Sequence, residues 1–255
     1  MSYSRLTIDR GNTALKAATW SHDAQPDKVV SLPACASVGE ALAELCPGGV
    51  PVFDAVAYSS VVKNCREEDL RLLSTLGCLV YDVKSPDVRI PFINGYSTPQ
   101  TLGADRVAAL AGAVGLAGGG PALVADMGTA ATFDLLTSTP DGPMYVGGNI
   151  SPGVPMRLHS LHEHTSALPE VSPELVPDDL WGTSTTEALL GGAVYGMLAE
   201  LEYYRSHAPA EAEMVLTGGG ADYLVRNNLI TFKHIHDPHL VLRGLNSIIT
   251  YNENR

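Results

Sequence analysis

The chain has 255 residues, 45% of them hydrophobic, so it can bury a sizeable core and is long enough for two domains. Its formal net charge of -12 argues against a nucleic-acid surface, because phosphate backbones are bound through clustered lysines and arginines that this sequence lacks. A single nucleotide stays open, since backbone amides, hydroxyls and metal ions can grip one without appearing in a charge count.

In chain order, a strand ending at Asp9 is expected to turn through a hairpin into Leu15 to Trp20, with a third strand at Val29 to Leu32. A helix over Val38 to Leu45, a strand over Val52 to Ser60, a helix over Glu67 to Leu76 and a strand over Leu79 to Val83 complete a βββαβαβ order. Val107 to Ala125 carries no charge and is about as long as a membrane span. The run Gly118-Gly119-Gly120-Pro121 breaks it into a buried helix, a turn and a new strand. Strands are then expected at Leu123 to Asp126, Ala131 to Leu136 and Met144 to Gly147. A long helix over Leu189 to Arg205, a strand at Met214 to Thr217, a short helix at Tyr223 to Asn227, a strand at Phe232 to His236 and a closing helix over Leu240 to Tyr251 follow. The chain reads as two similar halves, 1–118 and 119–255.

Each half opens on the same device. Leu6-Thr7-Ile8-Asp9-Arg10-Gly11-Asn12-Thr13 returns as Leu123-Val124-Ala125-Asp126-Met127-Gly128-Thr129-Ala130. An apolar strand ends on a carboxylate, a glycine turns the backbone tightly, and hydroxyl or amide side chains come next. Two such hairpins would surround the phosphates of a nucleotide with N–H groups and hydroxyls, while the aspartates hold cations. Arg10, at the variable site of the first copy, is expected to point outward, because alternate strand residues face opposite sides.

Cys35, Cys46, Cys65 and Cys78 form no C-x-x-C pair and no disulfide framework, so reduced thiols are expected. No basic segment followed by an apolar run marks a signal peptide, and a cytoplasmic protein without membrane attachment is expected. His159, His162 and His164, like His234, His236 and His239, lack acidic or cysteine partners and are read as solvated rather than metal-bound.

Between the halves lies Asn94-Gly95-Tyr96-x-x-Pro99-x-x-Leu102-Gly103-Ala104-Asp105-Arg106, just before the apolar helix. Asp105 and Arg106 then belong to a first helical turn, either as a local cap or facing a ligand. Further on come Gly147-Gly148-x-Ile150-x-Pro152-Gly153, Leu168-Pro169, Gly182-Thr183-Ser184-Thr185 and Thr217-Gly218-Gly219-Gly220-Ala221, the last suited to an adenosine. No G-x-x-x-x-G-K-[ST] is present, which disfavours a P-loop kinase.

The halves resemble the superfamily of acetate and sugar kinases, Hsp70 and actin. In this order, from Leu6 to Leu224, the motifs resemble the type III pantothenate kinases. The resemblance implies an α/β chain of two duplicated RNase H-like (actin-like ATPase) domains, each a mixed sheet with helices, facing a nucleotide cleft. It implies transfer of the γ-phosphate of ATP to pantothenate, the first step of coenzyme A biosynthesis, with Asp105 as the base. By the same resemblance Asp9, Arg10, Gly11, Asn12, Thr13, Ala14, Leu15, Lys16 and Thr129 would bind ATP. Asp9 would lie near Mg2+, and Asp126 would hold a monovalent cation, K+ or NH4+. Tyr96, Gly103, Ala104, Asp105, Arg106 and Thr185 would bind pantothenate, with Arg106 on either its carboxylate or a phosphate oxygen. A homodimer with shared sites is implied, Thr185 coming from the partner chain. The alternatives are a non-catalytic ATP-binding regulator of this fold and a kinase for another small hydroxylated acceptor. The regulator is disfavoured because Asp9, Asp105 and Asp126 are all present.

Overall fold

The computed structural model describes residues 5–21 and 25–254. Three consecutive strands, β1 (Arg5–Arg10), β2 (Ala14–Trp20) and β3 (Lys28–Pro33), form an antiparallel meander. Helix α1 (Val38–Leu45) starts where Ser37 and Glu40 cap each other reciprocally, and it buries Val38, Ala41, Leu42 and Leu45 at helical spacing. Strand β4 (Ala55–Ser60), helix α2 (Arg66–Ser74) and strand β5 (Leu79–Asp82) follow, and both strands join the sheet in parallel. The sheet order is β3-β2-β1-β4-β5. Sequence reading started β4 at Val52. In the structure Val52 is 84% exposed and pairing begins where Ala55 meets Arg5, after Pro51 has withheld an amide donor.

A two-residue strand, β6 (Ile93–Asn94), leads into α3 (Ala104–Leu116). The pattern then repeats with β7 (Ala122–Met127), β8 (Ala130–Thr139) and β9 (Gly142–Pro152), helices α4 (Val154–Glu163) and α5 (Thr185–His207), and β10 (Glu213–Thr217). Helix α6 (Gly219–Arg226), strand β11 (Ile235–His236) and helix α7 (Leu240–Glu253) close the chain. The second sheet runs β11-β10-β7-β8-β9-β6. Its first five members repeat the order of the first sheet read from the other edge, with β7 in the place of β1 and β10 in that of β4. The duplication seen in the motifs therefore extends to the strand order. The strand expected over Phe232 to His236 is confined to β11, which pairs only with Val215 and Leu216.

Contacts divide the chain into two compact units. The first takes the chain up to Gly119, the segment Ser138–Tyr145 and the chain from His239 on; the second takes Gly120–Thr137 and Val146–Pro238. Helix α7, which division at 118/119 would count with the second half, thus belongs with the first unit. It packs against β1, β4 and α3. Helices α3 and α7 occupy equivalent places in the two repeats, α7 coming after β11 and α3 after β5, with the short β6 of the second sheet in between. They approach closely: a Cβ on Gly112 would lie 2.6 Å from the carbonyl oxygen of Leu240, and Gly244 faces Ala108 across the same contact. Leu6, Ile8, Leu15, Val56, Tyr58 and Leu73 build one core, and Leu123, Phe133, Leu190, Val194, Met197 and Leu216 belong to the other. Among the described residues, no helix is long and apolar enough to cross a membrane.

Candidate active site

The first D-x-G sits where β1 leaves the sheet. Gly11 N–H donates to the carbonyl of Ala14 at 2.9 Å, closing a tight turn, and Asn12 and Thr13 stand exposed at its tip. Asp9 lies opposite Lys16 on β2 and Ser59 on β4, so a carboxylate, an ammonium side chain and a hydroxyl residue share this end of the sheet. The turn offers exposed hydroxyl and amide groups, and oxygen donors of this kind suit phosphate-bound Mg2+.

Arg10 departs from expectation. It does not point outward but is only 2% exposed. Strand alternation puts its side chain on the same face as Leu6 and Ile8, which is covered by α1 and α2 rather than by water. The guanidinium makes a bidentate pair with Asp69, Nε to Oδ2 at 2.5 Å and Nη2 to Oδ1 at 2.9 Å, while Nη1 donates to the carbonyls of Ala34 and Ala36. Tyr58 O–H donates to the same carboxylate at 2.6 Å. Burial works against the Arg10 charge, yet the hydrogen bond and the charge of Asp69 leave its pKa above the ordinary value. Burial, reinforced by Asp69, pushes the Tyr58 phenol up. Four of the five guanidinium N–H groups of Arg10 are thus engaged away from the turn, while Asp9, Gly11, Asn12, Thr13, Ala14, Leu15 and Lys16 remain as candidates.

The G-A-D-R segment forms the start of α3, with Gly103 at the cap. Asp105 occupies the first turn, half-buried, and its Oδ1 accepts from Arg106 N–H at 2.8 Å. Arg106 is buried, and its Nη2 donates to the hydroxyl of Tyr145 at 2.7 Å. The ring of Tyr96 stacks on that of Tyr145 at 5.7 Å between centroids, and the Arg106 guanidinium lies 5.8 Å from the Tyr96 ring. β6 makes this possible: Asn94 pairs with Tyr145, and Gly95 N–H donates to the Tyr145 carbonyl at 2.9 Å, delivering Tyr96 beside the helix start. Tyr96, Gly103, Asp105 and Arg106 are thus brought together around Tyr145, which sequence reading did not single out. Such a group has a fixed cation, an aromatic wall and a carboxylate at a helix N-terminus, the equipment for holding a small anionic alcohol.

The second hairpin is built alike, with Gly128 N–H donating to Ala130 O at 3.0 Å. Asp126 lies opposite Thr132 and Thr217 on the neighbouring strands. Two glycine-rich loops close on it. Gly153 N–H donates to Thr129 O at 3.0 Å, fixing the Pro152-Gly153 turn against the hairpin. Gly218 takes a φ of 86°, and a Cβ there would lie 2.6 Å from Asp126 Oδ1 and 2.7 Å from the Met127 carbonyl oxygen, so only glycine fits. The close cover of main chain over a carboxylate and a carbonyl oxygen is compatible with a cation held by hard oxygen donors.

A protein-family model described as type III pantothenate kinase matches residues 5–207. A type III pantothenate kinase of Porphyromonas gingivalis W83 is 35% identical over 258 residues, covering 99% of this chain and 100% of its own length. One from Akkermansia muciniphila is 36% identical over 251 residues, covering 94% and 96% respectively. The chain belongs to the type III pantothenate kinases. Among solved structures, a putative 2-dehydro-3-deoxygalactonokinase from Sinorhizobium meliloti superposes with a TM-score of 0.61 at 11% identity, covering 98% of this chain and 100% of that one. Component A of the Acidaminococcus fermentans (R)-2-hydroxyglutaryl-CoA dehydratase gives 0.53, covering 98% and 97%. At such identities the likeness concerns the fold, which is that of the actin-like ATPases and sugar kinases.

As a member of this family the protein is an ATP-dependent kinase of coenzyme A biosynthesis. Its first unit holds Asp9 to Lys16, Tyr96 and Gly103 to Arg106, and its second holds Asp126, Thr129 and Thr185. Thr185 is the first residue of α5, exposed, directly after Ser184, which forms a capping box with Glu187. Glu187 accepts from the backbone and hydroxyl of Thr183 and from Ser184 N–H, bonds that hold its carboxyl below the usual range. At least three of the six histidines read as solvated are engaged: His162 Nδ1 lies 2.8 Å from Leu168 O, His234 Nδ1 2.9 Å from Phe232 O, and His236 Nε2 2.7 Å from Asp222 Oδ1. Besides Tyr145, sequence reading missed Asp69 and Tyr58; a carboxylate among the helix residues of α2 and a tyrosine in an apolar strand gave no local signal.

Proposed function

We propose that this pantothenate kinase works through Asp105 as the base and through both D-x-G hairpins as phosphate holders. The observation that carries the reading is the position of Asp105 in the first turn of α3, beside the buried Arg106 that Tyr145 and Tyr96 hold in place. Phosphoryl transfer passes through a loose transition state in which the acceptor proton leaves late, so a carboxylate suffices if it is well oriented. Asp105 receives the proton of the pantothenate primary hydroxyl as that oxygen bonds to the γ-phosphorus and ADP departs. Arg106 neutralises an anionic group of the substrates, and Tyr96 supplies an apolar wall.

In this reading Asp9 holds Mg2+ and Asp126 holds a monovalent cation, K+ or NH4+, whose charges offset those of the phosphates. Thr13 and Thr129 offer hydroxyls. The working form is a homodimer in which Thr185 reaches the partner's site. The exposed apolar pair Leu180 and Trp181, the latter 80% exposed and four residues before Thr185, supports an interface here. The protein acts in the cytoplasm. The test is a coupled assay of ADP release with pantothenate against a panel of sugars and small hydroxy acids, in potassium, ammonium and sodium buffers. Turnover confined to pantothenate and dependent on potassium or ammonium is expected. A sugar as the better acceptor would refute the acceptor, and full activity in sodium alone would refute the cation.

A further inference from the structure

The buried group formed by Arg10, Asp69 and Tyr58 lies outside the machinery described so far, yet it begins inside the first hairpin. Arg10 is flanked by Asp9 and Gly11, and its guanidinium reaches away from the turn to α2 through Asp69 and to the segment before α1 through Ala34 and Ala36. Ala34 closes a circuit. Its carbonyl accepts from Arg10 Nη1 at 2.8 Å while its own N–H donates to the carbonyl of Thr13 at 3.1 Å. On the other flank, Val61 N–H donates to the Arg10 carbonyl at 3.1 Å. One shoulder of the turn is thereby fastened through the Arg10 side chain and Ala34, the other through the Arg10 main-chain carbonyl and Val61, and the guanidinium is directed by the bidentate carboxylate of Asp69, which the Tyr58 hydroxyl holds in turn.

Stability alone is a poor reason for this group. Removing two charges from water costs so much that apolar side chains of similar volume often serve as well or better in such a slot. Apolar side chains could not bind the two carbonyls, nor fix the turn in one register. We infer that Asp69 is a positioning residue for ATP, acting through Arg10 to hold the turn Gly11 to Thr13 where its N–H and hydroxyl groups meet the phosphates. The inference rests on the reading of Asp9 to Lys16 as the phosphate cradle. Misplacement of such groups by about 1 Å is enough to change turnover or binding substantially.

The test compares Asp69→Asn, Tyr58→Phe, the apolar double variant R10M/D69L and Thr13→Ala by thermal melting and by KM for ATP and for pantothenate. Asp69→Asn is expected to melt lower and to raise the ATP KM. The decisive variant is R10M/D69L, which should stay folded, melting somewhat lower because the Tyr58 hydroxyl and the Ala34 and Ala36 carbonyls lose these partners, and should raise the ATP KM about fivefold or more with the pantothenate KM changed less than about twofold, a selectivity that general destabilisation would not give. A well-folded R10M/D69L with the parent's ATP KM would overturn the inference. Should that variant fail to fold, Tyr58→Phe decides: a smaller rise in ATP KM at unchanged pantothenate KM supports positioning, and no rise overturns it. Thr13→Ala separates the two layers. If it raises the ATP KM while R10M/D69L does not, the cradle stands and the inference falls; if neither does, the cradle reading itself has failed.

Discussion

Gly112 and Gly115 lie one turn apart on α3, and the same substitution at each should act in opposite directions. At Gly112 a new Cβ would sit 2.6 Å from Leu240 O, 2.9 Å from Leu240 Cδ1 and 3.2 Å from Gly244 N. Two of the three are main-chain atoms of α7, so no rotamer change relieves the overlap and the helices have to separate. With a main-chain oxygen at 2.6 Å, overpacking falls in the upper part of its usual range, about 2–3 kcal/mol, against a gain of about 1 kcal/mol from replacing glycine in a helix, leaving a net loss of about 1–2 kcal/mol. In a chain of this length that is a fall of about 2–8 °C in melting temperature. At Gly115 nothing lies within 4 Å of the added methyl, so only the helix propensity acts and a gain of about 0.5–1 kcal/mol is expected. The assay is thermal unfolding followed by circular dichroism, with urea unfolding as the second probe. Since α3 carries Asp105 at its start, Gly112→Ala should also lower turnover while Gly115→Ala leaves it unchanged. Equal shifts of the same sign would show that α3 and α7 are not held at the distance described.

Tyr145→Phe removes the hydroxyl that accepts from Arg106 Nη2 and should raise the pantothenate KM about tenfold, the scale of one hydrogen bond to a charged group, with the ATP KM unchanged; steady-state kinetics in both substrates would expose an equal effect on the two, which contradicts the assignment. Glu187 has a folded pKa below its ordinary value of 4.5, so its capping contribution is present above that value and is lost as pH falls through the folded pKa. The melting-temperature difference between the parent and Glu187→Gln should therefore shrink from pH 6 towards pH 3.5, and a difference constant over that range would refute the linkage. Mixed dimers of Asp105→Asn with a Thr185 variant should regain about a quarter of the parent's sites if each site draws on both chains. Proven subunit exchange without recovery would place both residues in one chain's site.

What could be read from the sequence is what short-range chemistry decides. The D-x-G turns and the apolar spacing of α1 and α3 depend on residues within a few positions of each other. The topology followed, because a repeated motif brings a repeated strand order with it. Apart from the start of β4, the misses are long-range. Arg10 looked solvent-facing because its partner Asp69 lies 59 residues away. Tyr145 is 39 residues from Arg106, and β6, with two residues, exists only through its pairing with β9. Helix α7 follows the last strand of the second repeat, yet its glycine contact with α3 puts it in the first unit. Asp105 was legible as a helix-start carboxylate, whereas the buried aromatic and cationic group beside it needed coordinates.

The most direct measurement is single-turnover transfer from γ-labelled ATP to pantothenate by the parent and by Asp105→Asn, with ATP binding followed separately by calorimetry. A positioned base is worth roughly 10²-fold or more in the chemical step. Phosphopantothenate formed by the parent, slowed by at least that factor in Asp105→Asn at unchanged ATP affinity, is the expected result. Transfer by Asp105→Asn at the parent's rate would contradict the catalytic assignment, and no transfer to pantothenate by the well-folded parent would contradict the activity itself.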